Sequence, residues 1–154
     1  TPEQLTSLRS KLAALCNPSV TIAQAAHKPL AVIDDAGRSH PPTDLAGRAV
    51  LAFSGLGSPD HFLESLTRLG ARIVATVEMS DHAAYSPSIL AKLADQAKAA
   101  GAEIMVTTQK DHVRLAGLAG VEGSRIWQLA IEIDVTDGRD ELLARVDQAV
   151  STGG

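Results

Sequence analysis

The residues of this sequence best suited to chemistry fall in clusters that directly follow apolar runs. They are Ser54-Gly55-Leu56-Gly57-Ser58-Pro59-Asp60-His61, Glu78-Met79-Ser80-Asp81-His82-Ala83-Ala84-Tyr85 and Thr107-Thr108-Gln109-Lys110-Asp111-His112. Asp81-His82 offers acid–base work, because histidine titrates nearest neutral pH and a carboxylate can orient it and stabilise its charged form. The same pair also reads as a surface loop whose side chains face water. The Gly55-Leu56-Gly57 run, followed by Ser58, can present backbone N–H groups and a positive helix end to an anion. Equally, it can be a tight strand-to-helix turn that needs unusual backbone angles. It is neither a Walker A loop nor a complete dinucleotide fingerprint. Lys110 suits a phosphate or carboxylate partner and Asp111 a helix N-cap. Thr107 and Thr108 suit either a ligand or the closing of a turn. Tyr85, the only tyrosine, reads as an anchoring aromatic. His27, His40, His61 and His112 are scattered without an i, i+4 pair, so no metal site is expected within the chain.

These clusters need elements to position them, and the sequence supplies a regular alternation. Ala49–Phe53, Arg72–Val77, Glu103–Thr107 and Ile126–Ile133 are short apolar runs of strand type. Between them lie helical segments. One is capped by Ser58 and opened by Pro59, with Phe62, Leu63, Leu66 and Leu69 inward and Gly70 at its end. Another is capped by Ser86 and opened by Pro87, carries Ile89, Leu90, Leu93 and Ala97 on one face, and stops at Gly101. A short helix is expected from about Asp111 to Leu115, and a last one from about Asp137 with Leu142, Leu143, Val146 and Val150. Trp127 is expected in the core. Such alternation argues for right-handed βαβ crossovers, hence a Rossmann-like α/β fold with a parallel sheet of about four strands and helices on both faces. In an open parallel sheet the ligand crevice lies beyond the carboxyl ends of the strands, so the polar clusters should share one rim.

Ahead of this region, Pro2–Leu15 reads as a helix with Leu5, Leu8, Leu12 and Leu15 on one face. Val20–Ala23 and Leu30–Ile33 read as a short strand pair separated by His27-Lys28-Pro29, and Asp34-Asp35-Ala36-Gly37 as a turn. The proline-rich Ser39–Thr43 segment is a linker, which divides an N-terminal stretch, 1–44, from the α/β domain, 45–154.

Composition narrows the function classes. With 45% hydrophobic and 21% charged residues, the 154-residue chain is a globular mixture. Its net charge of −4 speaks against a general affinity for nucleic acid or anionic lipid. A single cysteine, Cys16, allows neither an intrachain disulfide nor a multi-cysteine zinc site. No run approaches the roughly 18–20 apolar residues of a membrane span, and the start lacks the order of a signal peptide. A chain that starts Thr1-Pro2 reads as a processed or excised piece.

Taken in order, Leu51–Phe62, Ser80–Ser86 and Thr107–Leu115 resemble the C-terminal half of the tetraacyldisaccharide 4'-kinase family, the lipid A 4'-kinases. The opening helix and the Ala25–Leu30 segment are similar too, so the resemblance covers nearly the whole chain. It implies transfer of the ATP γ-phosphate to the 4'-hydroxyl of a tetraacylated glucosamine disaccharide, the lipid A precursor, at the cytoplasmic face of the bacterial inner membrane. It implies that His82 helps activate the sugar hydroxyl together with an aspartate from the N-terminal half, with Asp81 and Tyr85 positioning. Gly55, Gly57, Ser58, Thr107, Thr108, Lys110 and Asp111 would shape the cleft between the halves. Gln109 stands where the family usually carries Glu, and Ala83 where a second His is common. The sequence holds no Walker A loop, which such phosphoryl transfer requires. The expectation is therefore a C-terminal domain, inactive alone, that holds no cofactor itself. ATP and Mg²⁺ would be bound by the P-loop half, and membrane contact would be peripheral and made by the full-length enzyme. The alternatives from the residues alone are a stand-alone Rossmann-like module for a small phosphorylated ligand or nucleotide, and a purely structural α/β domain.

Overall fold

Continuous apolar runs such as Ala49–Phe53 are buried on both sides only in a sheet covered on both faces, and that is what the computed structural model contains. It describes residues 2–17, 19–80, 85–115, 117–118 and 123–152. The elements in chain order are helix α1 (Pro2–Leu15), strands β1 (Gln24–Ile33) and β2 (Ser39–His40), a 3₁₀ turn (Pro42–Leu45), β3 (Ala49–Ser54), α2 (Asp60–Arg68), β4 (Arg72–Glu78), α3 (Pro87–Ala99), β5 (Ile104–Thr108), α4 (Gln109–Leu115), β6 (Ile126–Asp137) and α5 (Arg139–Thr152). The sheet has six strands in the order β2-β1-β6-β5-β3-β4. β3 runs parallel to both β4 and β5, β5 runs parallel to β6, and only the β1–β2 hairpin among these pairs is antiparallel. The fold is thus mixed α/β with a mostly parallel sheet, as the alternation predicts. It is wider than the expected four strands, because the hairpin ahead of the α/β region joins the same sheet.

The pleat of β3 sorts its side chains to two faces. Val50 and Ala52 pack with Ile104, Val106 and Leu129 under Phe62 and Leu66 of α2. Leu51 and Phe53 pack with Met105 and Ile126 under Leu90, Leu93 and Ala97 of α3, Leu115 of α4 and Tyr85. Ser86 caps α3 as expected, accepting the Ile89 N–H at 3.3 Å. Ser58 does not cap α2. That helix begins one residue later than the sequence suggests, with Pro59 at the N-cap and the Phe62 and Leu63 N–H groups bonded to the Pro59 carbonyl. Gly70 and Gly101 take left-handed backbone angles and end their helices.

Two compact units divide the chain, Pro29–Glu132 and Thr1–Lys28 together with Ile133–Gly154. In the second, Leu5, Leu8, Leu12 and Leu15 of α1 and Leu143, Val146 and Val150 of α5 stay exposed. Arg9 pairs with Asp137, and Arg145 donates to the Ser19 carbonyl. Among the described residues no helix is long and apolar enough to cross a membrane.

The expected strand at Val20–Ala23 does not form, while Leu30–Ile33 is the end of a longer strand, β1, that starts at Gln24 and runs through Pro29. β2 reaches only Val32 and Ile33 of this strand. Ser39-His40 is strand, not linker, and Trp127 is only partly buried, stacked on His40 with ring centroids 5.2 Å apart and beneath the Arg48 guanidinium.

The hairpin turn is closed by Asp34, 3% exposed, whose carboxylate accepts from the Ala36 and Arg38 N–H groups, from Arg38 Nε at 2.8 Å and meets His40 Nε2 at 3.0 Å. The His40 contact first, then the Arg38 and Ala36 bonds, hold the Asp34 carboxyl well below the usual carboxylate range although burial works against them. A carboxyl depressed on folding stabilises above its unfolded value and loses that contribution as pH falls. Urea melts of wild type and Asp34→Asn are expected to differ above pH 3.8 and to converge progressively below it. A difference that stays constant with pH would place the stabilisation elsewhere.

Candidate functional site

At the carboxyl end of the sheet, β3 stops at Ser54 and β5 at Thr108, and their parallel pairing brings the following residues together. Beneath the centre of this rim lies Asp111. Sequence reasoning assigns it the N-cap of the short helix, but α4 begins two residues earlier. Thr108 is its cap, since the Thr108 hydroxyl oxygen accepts the Asp111 N–H at 3.2 Å. Asp111 then falls in the first turn with its carboxylate directed inward, fully buried. Its Oδ2 accepts from the Thr108 hydroxyl at 2.8 Å and, across 56 positions of sequence, from the Gly55 N–H at 3.0 Å. Its Oδ1 lies 3.6 Å from Nη1 of Arg114, three residues on along the same helix.

Gly55 is a glycine for lack of room, not for an unusual backbone angle. A Cβ there would lie 2.9 Å from Asp111 Oδ1, 3.4 Å from Arg114 Nη1 and 3.6 Å from the Ser80 carbonyl oxygen. Gly57 also lacks a positive φ, and a Cβ there would meet nothing within 4 Å. Gly57 and Ser58 are exposed on the loop.

Tyr85 is buried and anchoring, as expected. Its ring meets Phe53 edge-on at 6.2 Å, and the Arg114 guanidinium sits 5.6 Å from its centroid. Burial first, and then the nearby Asp111 carboxylate, push the Tyr85 hydroxyl ionisation above its ordinary range. That hydroxyl is buried without a hydrogen bond of good geometry among the described residues, as are Thr107 Oγ1 and Asp111 Oδ1. Thr107, wholly buried, and Asp111 therefore underlie the rim and do not line it. Lys110 is exposed on α4. Burial holds the His112 imidazole below its ordinary 6.5. Asp81, His82 and Ala83 lie outside the described residues.

Two contributors were not assigned roles from the sequence. Arg114 could have been found from its i, i+3 spacing to Asp111. Gln109, at the position that departs from the family, accepts the Ile131 N–H at 3.2 Å through Oε1 and so fastens α4 to β6.

The pattern of the tetraacyldisaccharide-1-P 4'-kinase family matches residues 4–151. The chain belongs to this family. Among its relatives, the tetraacyldisaccharide 4'-kinase of Brucella suis is 40% identical over 114 residues, covering 71% of this chain and 33% of that protein. The Brucella canis protein of the same name is 40% identical over 107 residues, covering 66% and 31%. The chain thus spans about a third of the length of the curated relatives it matches. A crystal structure of "apo" form LpxK from Aquifex aeolicus in complex with ATP superposes with a TM-score of 0.50 at 22% identity, over 79% of this chain and 35% of that one, which supports the fold.

Among the described residues of this rim, the buried carboxylate does not fit Mg²⁺ or the ATP phosphates. Mg²⁺ takes open carboxylates and keeps several waters, whereas the Asp111 carboxylate is sealed against Gly55, Thr108 and Arg114. No Walker A loop exists in the sequence to cradle a triphosphate.

Proposed function

We propose that this chain forms the sugar-side wall of a kinase that transfers the ATP γ-phosphate to the 4'-hydroxyl of a tetraacyldisaccharide 1-phosphate, a lipid A precursor. The P-loop and the residues that hold ATP and Mg²⁺ belong, in this reading, to another part of the same protein outside these 154 residues. The observation that carries it is the family match over residues 4–151 by a chain one third the length of its relatives. The rim geometry supports it, because Gly55 and the Thr107–Asp111 segment converge there.

In the reaction, the 4'-oxygen bonds to the γ-phosphorus as the bond between that phosphorus and the β,γ-bridging oxygen breaks, and ADP leaves. The hydroxyl proton must go to a base, and His82 takes that role with an aspartate from the P-loop part. Asp81 and Tyr85 position it. Bound Mg²⁺ would neutralise the charge that develops on the phosphate oxygens. The work is done at the cytoplasmic face of the inner membrane, with peripheral contact through the whole enzyme and no nucleic-acid partner.

The test compares the full-length protein with the 154-residue chain, using the disaccharide 1-phosphate and labelled ATP. The full-length protein should transfer label to the sugar. The chain alone should show no turnover and little ATP affinity by calorimetry. Tight nucleotide binding by the chain alone would favour a stand-alone binding module and overturn the proposal.

A further inference from the structure

We infer that Asp111 is a positioning residue for this reaction, a buried carboxylate that ties the ends of β3 and β5 to both flanks of the Asp81–Ala84 segment. This inference rests on the proposed function for its catalytic consequence, although the tie itself does not.

The argument starts from cost. A carboxylate without solvent contact is unfavourable unless it is paired and hydrogen-bonded. Helix capping does not account for it here, because Thr108 already caps α4. Besides its partners at α4, Thr108 and Arg114, the carboxylate has one that is distant in sequence, Gly55. Oδ2 holds the Gly55 N–H at the end of β3 and the Thr108 hydroxyl at the end of β5. Oδ1 faces Arg114, whose guanidinium in turn lies over the Tyr85 ring.

The third strand of the group, β4, ends at Glu78, and Ser80 and Tyr85 flank the segment that carries Asp81 and His82. Both flanks stand at this cluster. The Ser80 carbonyl oxygen is 3.6 Å from where a Gly55 Cβ would be, and the Tyr85 ring lies under Arg114. The carboxylate cluster thus adjoins the two points from which the Asp81–Ala84 run departs. Gly55 belongs to the same device, because its missing side chain lets the carboxylate approach within 3.0 Å of the backbone nitrogen.

The experiment uses Asp111→Asn and Gly55→Ala in the full-length protein, with folding verified by calorimetry and assays run well below each melting temperature. Asp111→Asn keeps the shape and loses the charge that faces Arg114. Gly55→Ala keeps the charge and displaces it. Both are expected to lower kcat by about 10²-fold, the scale of a small misplacement at a reacting centre, with KM for ATP unchanged because ATP is held elsewhere. A merely structural role would lower the melting temperature and leave kcat per folded molecule at the wild-type value, which would overturn the inference. Amide exchange at Gly55, Ser80 and Tyr85 reads the tie without the reaction. It should accelerate in Asp111→Asn, and unchanged exchange would also overturn the inference. Failure of wild type to phosphorylate the disaccharide would instead overturn the proposed function and leave the exchange result to decide the tie.

Discussion

Replacing His82 by Ala in the full-length protein is expected to lower kcat by about 10²–10⁴-fold, the range that a positioned general base contributes. A sugar hydroxyl holds its proton at neutral pH, so its oxygen becomes an adequate nucleophile only as the proton is taken away. Histidine is the side chain whose unperturbed titration, near pH 6.5, suits it to that transfer. On the proposed function, which places ATP outside these 154 residues, the effect should fall on kcat and spare KM for ATP. An unchanged kcat in the variant would assign proton removal to the aspartate of the P-loop part and leave His82 without a catalytic role.

The β-α alternation was legible because it depends on local signals. The unbroken Ala49–Phe53 run, the Ser86-Pro87 helix start and the glycines at 70 and 101 each specify their element within a few residues. The hairpin was less so. β1 passes through Pro29, a residue that reads as a strand breaker, and β2 is two residues long, too short for any alternation to show. The leucines of α1 mark a helical face by spacing, but spacing does not say what a face meets, and in the structure they are exposed. At the rim the residues were legible and their roles were not. Asp is a good N-cap, so Asp111 beside a helix start reads as one. Only the structure shows that Thr108 has taken that place and turned the carboxylate toward Gly55. Gly55 similarly reads as a turn glycine, because the side chain it must admit lies 56 residues away in sequence.

Phe53→Ala is the second change with a large expected effect, and it separates support of the fold from support of the site. Phe53 is 1% exposed at the end of β3 and packs with Leu51, Leu90, Leu93 and Leu115. Truncating a buried phenylalanine removes its transfer free energy and leaves a cavity that close-packed neighbours fill only in part, a loss of about 3–5 kcal/mol. Urea unfolding followed through Trp127, the only tryptophan, measures it. Leu66→Ala, a fully buried site on the α2 face of the sheet, should cost about 2–5 kcal/mol by the same mechanism. The two should part company in activity. Phe53 is the edge-on support of Tyr85, so the cavity opens directly beneath the ring on which the Arg114–Asp111 cluster rests. In the full-length protein, Phe53→Ala should therefore lower kcat of the folded enzyme, whereas Leu66→Ala should lower stability alone. Equal kcat values for the two variants would mean that Tyr85 is held by Arg114 and Asp111 without help from the apolar layer below.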